Sequence, residues 1–205
     1  MKLYGSPTSP YVRKARVLVN EKKLACEFLH EDPWPADSPI PARNPLGKVP
    51  VLDIGDGKYL FESVLVVHYL DQFDGKPLTP ADKADYWEAQ WWEALGQGIL
   101  DAAVARVLES RRPLEKQMAE KTAREESRIH RASAAGEARF KGGEYLVGRS
   151  FTLADLVVGV ALQYVDFRYP HDWRAKCPRL AKWHAGIVRR KSFQETLSPG
   201  FTPPA

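Results

Sequence analysis

The sequence predicts an α/β domain joined to an all-helical one, and three observations carry that division. Up to about Gly75, short apolar runs of strand length are interleaved with helical periods. Beyond it, apolar residues recur at intervals of three and four. Between the two lies Asp74-Gly-Lys-Pro-Leu-Thr-Pro80, whose glycine and prolines break either pattern. The expected units are residues 1–76 and 83–205, with 77–82 as linker, and a chain of 205 residues has room for both.

Lys2 to Tyr4 reads as a strand, followed by a turn from Gly5 to Ser9. Pro10 to Lys22 carries Val12, Ala15, Val17, Leu18 and Val19 at helical spacing, and Cys26 to Leu29 is a second strand. The segment from Pro33 to Pro45 is too rich in proline for regular structure. Val51 to Ile54 and Tyr59 to Phe61 form a hairpin around Gly55-Asp-Gly57. Ser63 to Phe73 is a helix with Val64, Val67 and Leu70 on one side.

In the second half, Asp82 to Arg112 places Trp87, Trp91, Leu95, Ile99 and Ala102 on one stripe, read as core, and Pro113 ends it. Leu114 to Lys141 reads as one long polar helix with a sparse stripe at Met118, Ile129 and Phe140. Thr152 to Tyr169 is strongly apolar and therefore a buried helix. Pro178 to Lys191 is the last, with Pro178 in its first turn.

Composition narrows the function. A formal charge of +4 and pI near 9.0 are mildly basic, but acidic and basic residues interleave, as in Lys121 to Arg131. That is a solvated helix face, so nucleic acid is not an expected partner, whereas a small anion suits the balance. Cys26 and Cys177 form no Cys-x-x-Cys and no disulfide framework, which implies a reduced, cytoplasmic setting. His30, His68, His130, His171 and His184 show no metal-ligand spacing, so no metal is expected. The most apolar run, Leu153 to Leu162, is too short to cross a bilayer and carries Asp155.

The chemistry concentrates in three short motifs. In Asn44-Pro-Leu-Gly-Lys-Val-Pro-Val-Leu52, Pro50 stands where a strand begins and pushes Val49 toward an extended conformation. If Val49-Pro50 is cis, the Val49 N–H and C=O face outward and can pair with a short extended peptide. Thr8-Ser9-Pro10 is a helix start, where a serine hydroxyl and free backbone N–H groups stabilise an anion or a thiolate. Glu62-Ser63 opens another helix and suits a zwitterionic end, the carboxylate held by Ser63 and the ammonium by Glu62. Lys48 can meet a second carboxylate, and Trp34 can cover that end. A thiol-bearing peptide with carboxylates satisfies these sites together, and glutathione is such a ligand.

Ser9-Pro-Tyr-Val12 looks like the Cys-Pro-Tyr-Cys of glutaredoxins without either sulfur, which excludes dithiol chemistry there. Thr152-Leu-Ala-Asp155 is a capping-box pattern and reads as structural. Taken in order, Ser9-Pro-Tyr11, Asn44 to Pro50, Phe61-Glu-Ser63 and Thr152 to Asp155 resemble the glutathione transferase family over the full chain. The resemblance implies a thioredoxin-like N-terminal domain, an all-α C-terminal helical domain and a homodimer. It also implies glutathione as co-substrate, held by Lys48, Val49, Glu62 and Ser63, with Ser9 in the thiol-activating position. Many bacterial relatives carry cysteine in the first-helix region, and animal classes often use tyrosine. Tyr4 stands at a place similar to the latter, but helix-start geometry favours Ser9.

The expected function is transfer of the glutathione thiol to a hydrophobic electrophilic small molecule, or its use against a peroxide. The electrophile is expected near Tyr11 and Arg106. The alternative is a glutathione-binding interaction or stress protein with little turnover, and a thiol–disulfide oxidoreductase ranks third.

Overall fold

The computed structural model describes residues 1–168 and 172–204; Tyr169, expected to end a helix, and His171 lie outside them. Two compact units are present, residues 1–78 with 190–201, and residues 79–189 with 202–204.

The first unit is built on a sheet of β1 (Lys2–Gly5), β2 (Glu27–His30), β3 (Val51–Gly55) and β4 (Lys58–Phe61), in the order β2-β1-β3-β4. β1 and β2 are parallel, so a crossover is required between them. α1 (Pro10–Lys22) supplies it. Pro10 at its first position and Lys23 in the left-handed region at φ 53° bound this helix. Val12, Ala15, Val17 and Leu18 are buried as their spacing predicts. Gly5 lets α1 approach, because a Cβ there would collide with the Val12 side chain. β3 runs antiparallel to β1 and to β4, turning through Asp56 at φ 54° and Gly57 at φ 71°, the conformation favoured in tight hairpins.

Within the expected loop, Ile40–Arg43 forms a short helix, α2, with Ile40 fully buried. α3 (Ser63–Phe73) buries Val67 and Leu70 as expected, with Val66 beside them, whereas Val64 is 42% exposed. Lys22 and Asp71, both buried, join the ends of α1 and α3 at 3.7 Å, and Asp71 accepts the Leu78 N–H at 2.7 Å. The C-terminal segment returns to α1. There Arg190 and Ser192 bind the Glu21 carboxylate, while Arg13 donates to the Phe193 carbonyl at 3.1 Å.

The second unit is helical: α4 (Lys83–Ser110), α5 (Ala119–Arg139), α6 (Leu153–Arg168), α7 (Trp173–Lys176) and α8 (Pro178–Ile187), with α9 (Lys191–Gln194) belonging to the first unit. α4 and α6 cross at Gly96, where a Cβ would stand 3.1 Å from the Val157 carbonyl carbon. The tryptophan this core uses is Trp92, 1% exposed; Trp87, expected inside, is 63% exposed. The polar region after Pro113 is interrupted, since Leu114–Lys116 makes a 3-10 turn and Met118 is extended and 54% exposed. The Glu109 carboxylate, buried at the end of α4, accepts the Met118 N–H and the Lys121 ammonium, both at 2.8 Å.

Asp155 is the polar centre of this unit. Its buried carboxylate accepts from Leu146 N, Thr152 N, Thr152 Oγ1 and Trp183 Nε1, at 2.8–3.0 Å. This is the reciprocal bond of a capping box, extended to a neighbouring loop and helix. Burial pushes the Asp155 carboxyl up, against the pull of these donors.

Candidate functional site

Sheet register alone gathers the three motifs. Tyr4 pairs with Val51, and Val51 pairs with Phe61. β1 ends where β3 begins and where β4 ends, so Ser9, Val49 and Glu62 leave the sheet at one edge. β2 runs parallel to β1, so its following loop, with Trp34, departs from that edge as well.

Ser9 is the N-cap of α1. Its Oγ accepts the Val12 N–H at 3.4 Å, while its backbone accepts from Arg13 and donates to Ser6. As an acceptor in that bond the hydroxyl keeps its own hydrogen for donation. It is half-buried, at the positive end of a helix of 13 residues.

Val49 is set by Asn44, which is 1% exposed. Asn44 Nδ2 donates to the Lys48 carbonyl at 2.6 Å, and Asn44 Oδ1 accepts the Leu46 N–H at 2.9 Å. The Lys48–Val49 peptide is trans, so its N–H points opposite the carbonyl held by Asn44. The Val49 N–H therefore turns away from that buried side chain. Among the described residues neither Val49 backbone group has a hydrogen-bond partner. The Val49-Pro50 bond is cis, as the sequence suggested. The Val49 side chain packs inward beside Tyr4, Ile40 and Val51.

Glu62, not Ser63, caps α3. Its Oε1 accepts the Val64 N–H at 3.4 Å, and its backbone sits at φ 68°, ψ 118°. That conformation is strained for a residue with a Cβ. Ser63 is 2% exposed, opens the helix, and donates from Oγ to Glu62 Oε1 at 3.3 Å. The carboxylate thus stands at a helix N-terminus on an exposed residue, beside first-turn N–H groups that have no partner within the helix.

Lys48 and Trp34 are exposed, with Trp34 at 69%. Tyr4 is packed at 7% exposure, and the Arg43 guanidinium lies 4.1 Å from its ring centre. Burial opposes the Arg43 charge most strongly, but the hydrogen bond and charge of Glu31, with Tyr4 and Tyr59, together outweigh it and raise Arg43. Of these supports, sequence reasoning quoted Asn44 only as part of a motif. An asparagine two residues before a turn amide is the signal that marks it. Arg43 carries no such local signal. No group of His, Cys, Asp and Glu among the described residues is arranged to hold a metal.

An edge with unpaired main-chain groups, two helix N-termini and one carboxylate can hold an extended zwitterionic peptide and stabilise an anion beside Ser9. Similarity to known proteins agrees with that chemistry. Residues 3–77 match the glutathione S-transferase N-terminal domain model, and residues 89–186 match the C-terminal domain model. The uncharacterised GST-like protein YibF of Escherichia coli (strain K12) is 34% identical over 97% of this chain and 99% of its own. A glutathione S-transferase from Methylobacillus flagellatus, crystallised with glutathione bound, superposes with TM-score 0.90 at 36% identity, covering 95% of this chain and 98% of its own. Another, from Methylobacterium radiotolerans in complex with glutathione sulfonate, gives TM-score 0.89 at 31% identity over 100% and 99% of the two chains. The fold is a thioredoxin-like N-terminal domain with a helical C-terminal domain, and the chain belongs to the glutathione S-transferase family.

Proposed function

We propose that this protein binds glutathione and activates its thiol for attack on a hydrophobic electrophile or a peroxide. The observation that carries this reading is the convergence of Ser9, the unpaired Val49 backbone and the Glu62-Ser63 helix start on one edge of the sheet. Val49 would pair with the tripeptide as an added antiparallel strand. Ser63 and the α3 N-terminus would take one carboxylate, Glu62 the neighbouring ammonium, and Lys48 the carboxylate at the other end, with Trp34 over it. Glutathione supplies the sulfur nucleophile. Ser9 donates its hydroxyl hydrogen to that sulfur, and the α1 dipole adds to the effect, so a larger thiolate fraction is present at neutral pH. The buried position of Tyr4 beneath Arg43 supports Ser9 over Tyr4 in this role. The free, unpaired cysteines support a reduced cytoplasmic setting.

Retention on immobilised glutathione, together with thiol consumption by the eluate in the presence of an aryl halide, tests the reading. Retention without turnover would select the glutathione-binding alternative, and no retention would defeat both. A homodimer is also proposed, on family membership. Light scattering near the 23.1 kDa of one chain across a wide concentration range would exclude it.

A further inference from the structure

We propose that a cavity beside Arg16, in the first unit, binds a small carboxylate with a short apolar body. The cavity has a volume of about 110 Å³ and lies between α1, β1, β2 and the C-terminal segment. That is well below the roughly 300–1,000 Å³ of a drug-sized pocket, so it suits a small organic acid rather than a cofactor. Leu3, Val19 and Phe28 form its apolar wall, and Arg16, Asn20 and Thr196 its polar one.

The Arg16 guanidinium is the unusual element. It stacks 4.4 Å from the Phe28 ring centre, yet among the described residues it has no hydrogen bond or ion pair. Stacking occupies the face of the guanidinium and leaves its in-plane N–H fork available, the geometry that grips a carboxylate bidentately. Burial pulls Arg16 down, and Arg13, itself lowered to about 10, is depressed by burial and then by Arg16. Two guanidiniums close enough to repel each other are relieved by an anion between or beside them. Glu195, which meets this wall through Asn20 Nδ2 at 3.3 Å, is also engaged by Lys191 at 3.4 Å.

Cys26 lines the same cavity and reports on it. It is one of two cysteines, and the other, Cys177, is 2% exposed and serves as internal reference. Alkylation of Cys26 by iodoacetamide, followed by mass spectrometry, is measured with sodium benzoate as probe. At about ten times its Kd, benzoate leaves about one-tenth of the sites open, so alkylation should slow roughly 10-fold. Benzyl alcohol, of similar shape without the charge, should not protect. Arg16→Gln should abolish protection, and saturating S-methylglutathione, which has no thiol to consume the reagent, should leave it intact. Absence of protection, equal protection by the alcohol, equal protection in Arg16→Gln or displacement by S-methylglutathione would each overturn the site. The comparison of acid with alcohol uses wild-type protein alone, so it decides the matter even if the variant does not fold.

Discussion

Ser63 Oγ donates to Glu62 Oε1 at 3.3 Å within the opening turn of α3, so one carboxylate both caps the helix and restrains the serine beside it. Glu62 holds that position only by adopting φ 68°. A strained backbone beside a carboxylate proposed to hold the ligand exchanges stability for a fixed geometry.

Glu62→Gly separates the two. Glycine adopts positive φ freely, and at an N-cap it loses only a few tenths of a kcal/mol relative to a good cap. Relief of the strain should exceed that loss, raising stability by about 1 kcal/mol. Glutathione affinity should nevertheless fall. Urea unfolding and calorimetric titration give the two numbers, and a lower unfolding midpoint would mean the backbone is not strained. Glu62→Gln should weaken binding while leaving the thiol pKa nearly unchanged.

Asn44→Ala tests the loop from inside. It removes the donor to the Lys48 carbonyl and the acceptor of the Leu46 N–H, two part-buried bonds made by a residue that is itself 1% exposed. Each unsatisfied group costs about 1–3 kcal/mol. Stability should fall by about that amount, and glutathione affinity roughly 10-fold or more, because the Val49 amide is no longer aimed. Unchanged affinity in a destabilised variant would show that the Asn44 clamp is structural alone.

The Glu21 clamp predicts an acid sensitivity. Burial would raise this carboxyl, but the hydrogen bonds from Arg190 and Ser192, with the Arg190 charge, hold it below its ordinary value. A depressed folded value means that the stabilisation is fully present above the ordinary carboxylate pKa, about 4.3. It is lost as pH falls through the folded value. Wild type should therefore exceed Glu21→Gln in stability at neutral pH, and the difference should shrink below about pH 4.3. A difference independent of pH would mean the clamp carries no charge contribution.

Local signals made much of this legible, and the exceptions share a cause. Pro10, the apolar spacing of α1 and the Gly55-Asp-Gly57 turn specify structure within a few residues, and the structure follows them. The edge-on convergence of Ser9, Val49 and Glu62 rests on the parallel β1–β2 pair and the strand order, which no local signal states. Trp87 was not legible either. α4 carries aromatic residues around much of its circumference, so periodicity cannot choose between Trp87 and Trp92; packing against its neighbours does. The break after Pro113 depends on Glu109 reaching forward to Met118 and Lys121, a contact no local pattern encodes. α7 escaped for a similar reason, since Trp173 is anchored by its Nε1 bond to Asp166 at 2.9 Å.

The role proposed for Ser9 has the sharpest test. Ser9→Ala removes both the cap on Val12 N–H and the hydroxyl that would donate to the thiolate. The first loss lowers stability by about 1 kcal/mol and leaves chemistry alone. The second should raise the pH at which bound glutathione ionises, and lower the conjugation rate at neutral pH roughly 10-fold or more, since a charge-assisted hydrogen bond contributes about 1.5–3 kcal/mol. Glutathione affinity should change little, because Val49 and the Glu62-Ser63 turn are untouched. Ser9→Cys should lose conjugation and gain mixed-disulfide exchange with glutathione disulfide, the new thiolate attacking one sulfur and expelling the other as glutathione thiolate. Ultraviolet absorbance of the bound thiolate against pH, in wild type and Ser9→Ala, distinguishes cap from catalyst. Superimposable titrations would leave Ser9 as a cap only, and move thiol activation to Tyr4 or to the α1 backbone N–H groups.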